Sequence, residues 1–558
     1  MLRLPTVLTP ATAPETFTDE ERATLAPYFT NTDKHVFALT NLPEAVKGAL
    51  FARYSRSAKS LRRLFLDEFL QRPDDRQRQN ERQRSRDQRI SDLSIAGAEA
   101  GTERAERLYA KVFNEYGDDS VAQLGGAHIA CEYVSNVLTK VLEWGRLMAY
   151  LEQSTRYVAY TDRLHGRWRY HIPAELDGRL RERYVRYMDD VFETYGRLIG
   201  RLQEHFATVY PKAPGDSDAV HRTATRAKAL DTLRGMLPAA TQSNVGIYGT
   251  GQAYESLLLR MRAHPLAEVR ACADDMLVEL RKVIPSFLTR VDQPERGGRW
   301  SEYLAGTRDA LAAVAHDLIA NARAEDRAEV TLTEFDPDGE LKVVAAALYA
   351  SSTLPDDQLV SIARRMSPAD RATVLRACVG ARTNRRHRPG RAFERTSYRF
   401  DVLTDYGAFR DLQRHRLLTL EWQPLSTKHG YNEPEALDAA GVIGDWTRVM
   451  DGSAQLYDEI VSAGLADAAP YAVAMAYRVR FYMQMNAREA MHVIELRTAP
   501  QGHPAYRRVC QQMHRLIAET AGHHAIADAM QFADHSAVDL ERLQSERALE
   551  KKRAGTSS

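Results

Sequence analysis

The sequence predicts a helix-rich α/β protein made of two homologous halves in tandem. Three observations predict it. Apolar residues recur at helical spacing along most of the chain, strand-like runs are few, and short segments recur in the same order in the N-terminal and C-terminal parts. Val134, Val137, Leu138, Val141 and Leu142 predict a helix over 134–142. Val269, Cys272, Ala273, Met276, Leu277, Leu280 and Ile284 predict another that stops at Pro285. Val330 to Phe335 reads as a strand closed by the turn Asp336-Pro337-Asp338-Gly339, and Glu340 to Leu348 restarts a helix. That restart resembles Glu44 to Ala52. Leu259-Arg260 followed by His264-Pro265 likewise resembles Leu496-Arg497 followed by His503-Pro504. We therefore expect one half over 1–325, with a charged insertion at 72–100, and a second over 330–558.

Composition narrows the class. Of 558 residues, 44% are hydrophobic and 27% charged, a globular profile, and the net charge of +1 gives no global field toward nucleic acid or membrane. No apolar run is long enough for a membrane helix, and the N-terminus lacks a secretory pattern. Cys131, Cys272, Cys378 and Cys510 form no CxxC pair and read as buried thiols, which fits a reducing cytoplasm. The stretch Arg72 to Arg89 is almost free of apolar residues and reads as a solvated segment. Its sharper reading is an arm touching nucleic acid or a neighbouring subunit, a reading its acidic residues dilute.

The chemistry-bearing motif is Arg414-His415-Arg416, in the run RHRLLTLEWQPLSTKHGY. Two arginines flanking a histidine at a helix end suit phosphate or pyrophosphate. A second triplet, Arg386-His387-Arg388, reads as an exposed basic loop. With its context, the first triplet resembles the flavin-dependent thymidylate synthases, which carry RHR, then seven residues on a Ser, then Arg-Tyr. In this half Ser426 comes after nine residues and Lys428 replaces the arginine. The first half shows the converse. Its triplet reads Trp144-Gly145-Arg146, but Glu152-Gln153-Ser154-Thr155-Arg156-Tyr157 keeps the nucleotide loop without gaps. The split continues. Asn486-Ala487-Arg488 and Arg497 match the family's closing helix, where the first half reads Gly249-Thr250-Gly251 and Arg260. Arg234, Leu237 and Pro238 match the family's Arg-x-x-Leu-Pro, where the second half has Pro470 and Ala474. Phe393-Glu394-Arg395 resembles the family's Glu-His with Arg for His.

The resemblance implies one composite site assembled from both halves. Arg414, His415, Arg416, Asn486, Arg488 and His492 would hold FAD. Glu152, Gln153, Ser154, Arg156, Arg234, Ser426, Lys428 and Arg497 would hold a deoxyuridine nucleotide, with Arg497, Ser154 and Arg156 acting in catalysis. The implied reaction is reductive methylation of dUMP at C5, with NADPH and methylenetetrahydrofolate as co-substrates and no cysteine attack on the ring. It further implies a homodimer that imitates the family tetramer. The rivals are the same flavin chemistry on another uracil-containing substrate, a non-catalytic flavin- or nucleotide-binding protein, a scaffold whose halves have both decayed, and a nucleic-acid module using the Arg72 to Arg89 arm. Glu489-x-x-His492 has di-metal spacing, but its companion pair is missing, so no metal is expected. No dinucleotide or P-loop glycine motif is present. Ser351-Ser352-Thr353 and Tyr54-Ser55 read as helix-end turns, with a flavin phosphate contact as the functional alternative.

Overall fold

The computed structural model describes residues 15–54, 57, 59–70, 123–156 and 158–556; the Arg72 to Arg89 stretch, the rest of the 72–100 insertion, Ser55 and Tyr157 lie outside the described residues. In the first half, α1 (Glu44–Tyr54) precedes β1 (Gly126–Ser135), α2 (Asn136–Leu142) and β2 (Met148–Glu152). Two long helices follow, α3 (Gly178–Val209) and α4 (Asp218–Leu233), then β3 (Gln242–Thr250), α5 (Gly251–Arg262), α6 (Ala267–Arg281) and α7 (Arg299–Ile319). The three strands form an antiparallel sheet in the order β1-β3-β2. In the second half, β4 (Val330–Phe335) leads into α8 (Gly339–Tyr349), β5 (Ser397–Asp405), α9 (Tyr406–Leu412) and β6 (Thr419–Trp422). These are followed by α10 (Ile443–Ser462), β7 (Arg478–Asn486), α11 (Ala487–Arg497) and α12 (Pro504–Glu519). The second sheet is ordered β4-β5-β7-β6, all antiparallel. The duplication is plain in this order: β1-α2-β2 repeats as β5-α9-β6, and β3-α5-α6 as β7-α11-α12.

Local chemistry sets these elements. Ser135 caps α2 by accepting from the Leu138 amide, and Asp405 caps α9 by accepting from that of Ala408. The capping Ser135 is extended, so Val134 belongs to β1 and the helix expected from 134 starts at Asn136. Thr250 and Asn486 cap α5 and α11 in the same way. Thr250, not Gly249, is therefore the structural counterpart of Asn486. The expected strand at 330–335, the 336–339 turn and the helix restarting after it are all present. Along β7 the buried side chains Val479, Phe481, Met483 and Met485 alternate with half-buried polar ones, the pattern of a sheet with one face on the core. Of the cysteines, Cys131 and Cys510 are buried, whereas Cys272 and Cys378 are only half-buried. No helix among the described residues is long and apolar enough to cross a membrane.

The halves share one core. Residues before β3 pair antiparallel with residues before β7: Pro238 faces Ala474, the Ala239 amide donates to Val473 O (2.8 Å) and the Met475 amide to Leu237 O (2.9 Å). Pro238 and Ala474 each lie four residues before their strand, so equivalent positions meet, as a two-fold relation between halves requires. The approach is close. A Cβ on Gly235 would stand 2.9 Å from the Trp446 ring and 3.0 Å from the Ala476 Cβ. Gly235→Val is expected to destabilise the chain by about 1–3 kcal/mol through overpacking, read as a lower urea midpoint.

Candidate functional site: a guanidinium cluster between the halves

The triplet follows the last turn of α9, and both halves converge on it. Arg414 Nη2 donates to Asp411 Oδ1 at 2.9 Å and lies 3.7 Å from Glu152 Oε2 of the first half. Arg497, at the end of α11, donates from Nε to His415 Nε2 at 2.9 Å and from Nη2 to the Asp411 carbonyl. Because that ring nitrogen accepts, the His415 proton sits on Nδ1, which faces Glu489 Oε1 at 3.8 Å. Arg416 reaches across to the Met148 carbonyl of β2. Arg234, from the first half, donates to Asp411 Oδ2 at 3.4 Å, and its buried Nη2 has no hydrogen-bond partner. Asp411 is thus ringed by three guanidinium groups from both halves, and these cations hold its carboxyl far below the usual range although burial opposes them. Sequence reading missed Asp411; its place three residues before Arg414, in the last turn of α9, was the available signal.

The nucleotide-loop residues of the first half sit beside this ring. Glu152 is fully buried. Burial alone would raise its pKa, but Arg410 (2.6 Å), Lys140 (3.4 Å) and Arg414 hold it at about 2. Gln153 continues the strand pairing through its amide to Asn244 O, and Ser154 Oγ accepts from the Arg156 amide. Arg156 is a bidentate partner of Asp231 (2.8 and 2.6 Å) and donates to the Tyr506 hydroxyl (3.1 Å), again joining the halves. Ser426 Oγ accepts from the Lys428 amide, and among the described residues no hydrogen bond joins either to the Asp411 ring. Arg488 donates to Pro389 O, Asn486 is occupied as a cap, and Ser352 closes a turn.

The equivalent place on the other side of the two-fold is built differently. Glu152 lies eight residues after Trp144, and Trp422 eight residues after Arg414. Where Arg414 meets Glu152, Trp144 meets Trp422 edge-on, with ring centroids 5.7 Å apart. Arg260, one position before the place that matches Arg497 once Thr250 is matched to Asn486, lies over the Trp144 ring at 5.2 Å. An ion pair on one side is thus an aromatic pair on the other, and only one side carries the charged constellation.

The loop read as exposed and basic joins the site. Arg388 donates from Nη2 to His492 Nδ1 at 2.9 Å. His415, Glu489 and His492 bring potential metal-ligand atoms within 4.8 Å of one another. Arg497 and Arg388 already use one lone pair on each imidazole, and the surrounding guanidinium groups make the spot anion-seeking rather than cation-seeking. Burial pushes Glu489 up to about 7 and His492 down to about 4. Folded Glu489 therefore keeps its proton to higher pH than the unfolded chain, so its contribution to stability falls as pH rises toward about 7; His492 gives the opposite slope. The melting-temperature difference between Glu489→Gln and the parent is expected to grow in favour of the variant from about pH 5 to 8. A constant difference would refute the raised carboxyl.

Comparison with known proteins follows the same duplication. Residues 66–286 and 331–521 each match the family described as thymidylate synthase complementing protein. A UPF0159 protein of Chlamydia pneumoniae is 37% identical over 535 residues, covering 95% of this chain and 98% of the relative. One from Thermoplasma acidophilum is 29% identical, covering 90% and 97%. A flavin-dependent thymidylate synthase of Clostridium tetani is 25% identical over 190 residues, covering 33% of this chain and 70% of the relative. A crystal structure of the UMP/dUMP methylase PolB from Streptomyces cacaoi, bound with 5-Br dUMP, aligns to 38% of this chain and 100% of its own at 21% identity and a TM-score of 0.29.

Proposed function

Because this chain belongs to the thymidylate synthase complementing protein family and carries its domain twice in tandem, we propose that it is a flavin-dependent methyltransferase of deoxyuridine nucleotides with one composite site per chain. The reaction is reductive methylation of dUMP at C5, with methylenetetrahydrofolate as carbon donor and NADPH as reductant. The observation that carries this reading is the ring of Arg234, Arg414 and Arg497 around Asp411, drawn from both halves, with its Arg414–Glu152 pair replaced across the two-fold by Trp144 and Trp422. The cluster suits phosphorylated ligands. Its guanidinium groups outnumber the carboxylates they face, and the buried Arg234 Nη2 lacks a partner that a phosphate oxygen would supply.

When bound, FAD supplies the hydride chemistry. The chain's own part is positioning. Arg414, His415, Arg416, Asn486, Arg488 and His492 hold the flavin. Gln153, Ser154, Arg156 and Arg234 hold the nucleotide, with Ser426 and Lys428 as the second-half remnant of the same loop. Arg497 is a fixed donor for charge developing on the pyrimidine, beside Ser154 and Arg156. Cys510 is fully buried and its thiol is pushed up to about 12, so it supplies no thiolate. We place the halves at 1–325 and 330–558, the working unit as a homodimer in the cytoplasm. A second reading, the same chemistry on another uracil-containing substrate, is favoured by the closed pairing of Arg156 with Asp231 and Tyr506.

The test is direct. Purified protein should show a flavin absorption band that is lost in Arg416→Ala with the fold intact. Tritium release from C5-labelled dUMP, with NADPH and methylenetetrahydrofolate present, should follow. No flavin sinks the proposal; flavin without release from dUMP, but with release from another labelled uracil nucleotide, selects the second reading.

A further inference from the structure

We propose that the loop Arg385-Arg386-His387-Arg388 is the subsite for the phosphate monoester at the adenosine end of the nicotinamide reductant, an inference that rests on the reductive chemistry proposed above. The loop's arginines lack the counter-charge that their neighbours have. Arg391 pairs with Glu394 and Arg395 with Asp356, and Arg488 lies 3.6 Å from Glu394. Among the described residues Arg385, Arg386 and Arg388 form no ion pair. Arg388 donates to the neutral acceptor His492 Nδ1, Arg385 is half-buried and Arg386 is exposed. Like charges this close in the chain repel one another, so leaving them unanswered works against the fold.

The loop is nonetheless held in one shape. Arg382 and Glu495 form a buried bidentate pair, both side chains 1% exposed. The same guanidinium donates to the His387 carbonyl of the loop and to the Ala529 carbonyl. The Arg386 amide donates to Asn384 Oδ1 at 2.9 Å, the Thr383 amide to His387 Nδ1 at 3.3 Å, and Arg488 Nε to the Pro389 carbonyl at 2.9 Å. A solvated basic segment has no use for this framework, whereas a ligand bound to it does not have to order the backbone.

Place and size select the ligand. Arg388 rests on His492, and after burial Arg388 and Arg385 are the charges that most depress the pKa of that ring. His415 lies on the same ring, with centroids 5.5 Å apart. The loop therefore borders the residues assigned to the flavin, where a second ligand that must meet the flavin would carry its own charged group. A phosphate monoester is close to a dianion at neutral pH and accepts from the forks of two guanidinium groups. A polynucleotide calls for a longer row of uncompensated charge, and here Glu394 and Asp356 neutralise the arginines that follow.

The experiment is calorimetric titration of the full chain with adenosine 2′,5′-bisphosphate and with 5′-AMP, the flavin absorption band being read on the same sample. The parent is expected to bind the bisphosphate about tenfold or more tightly than 5′-AMP, the effect of charge-assisted hydrogen bonds to the added phosphate. The double variant Arg385→Gln, Arg386→Gln is expected to erase that preference. Its flavin content and urea midpoint should equal the parent's, since neither side chain makes a hydrogen bond among the described residues; Arg388 is left in place because it also holds His492. Equal or absent binding of the two probes by a flavin-containing parent overturns this inference alone, as does an undiminished preference in the double variant. Loss of flavin from the double variant also overturns it and assigns the loop to the flavin itself. Tighter binding of a short oligothymidylate than of the bisphosphate overturns it in favour of nucleic acid. A preference for the bisphosphate in a parent without flavin supports the phosphate site and sinks the reading it was built on.

Discussion

Arg497→Ala is expected to lower C5 tritium release from dUMP by about 100- to 1,000-fold, the effect of removing one fixed donor aimed at developing charge. Flavin should stay bound, because Arg414 and Arg416 keep their own partners, Asp411 and the Met148 carbonyl. The proposed role rests on where Arg497 sits. It is anchored on His415 and the Asp411 backbone, lies beside the Tyr506 ring and keeps part of its side chain accessible. The measurement is kcat for tritium release at saturating dUMP, with flavin content read from the same sample. A fall confined to KM would show that Arg497 binds the nucleotide equally in ground and transition states, and the catalytic role would be withdrawn.

Glu152→Ala is expected to destabilise the chain by about 3–5 kcal/mol, the cost of breaking a buried ion pair from one side. Its carboxylate is fully buried and shared by Arg410, Lys140 and Arg414, so truncation leaves three cations with less compensation across the joint between halves. The pH dependence follows from the depressed pKa. The unfolded carboxyl takes up a proton near its ordinary value and the folded one only near about 2, so the stabilisation is full at neutral pH and is lost as pH falls through that interval. Urea unfolding of parent and variant across that range is the check. The Glu152→Ala curve should lack the acid limb that the parent shows, and equal curves would mean that Glu152 does not hold the halves together. The same experiment separates structure from recognition. The resemblance expects Glu152 to hold nucleotide, whereas its pairing here expects the variant to lose stability first.

Much of this was legible in the primary structure. Capping residues, the Asp336–Gly339 turn and the proline after α6 are local signals, and each marks a boundary near where it occurs. The triplet and the Asn-Ala-Arg helix are contiguous motifs, so they could be matched without knowing the fold. An apolar Val134 fits the end of a strand as readily as the first turn of a helix; the extended backbone of Ser135 places it in β1.

Asp411, Asp231 and Tyr506 escape a reading of the sequence, and Arg388 reads there only as part of an exposed basic loop, because their meaning comes from partners far along the chain. Arg388 reads as a solvated basic residue until His492 is brought to it, and Tyr506 is an ordinary helix residue until Arg156 arrives from the other half. Sequence alone determined that the chain is a duplication and that its halves kept different parts of one motif set, since motif retention is a property of residue order. Only the tertiary structure decided that those parts meet. The two-fold pairing at Pro238 and Ala474 sets Arg414 against Glu152 on one side and Trp144 against Trp422 on the other. Charge at that joint, which no local pattern encodes, makes one side an ion-pair cluster and the other a partly exposed aromatic pair.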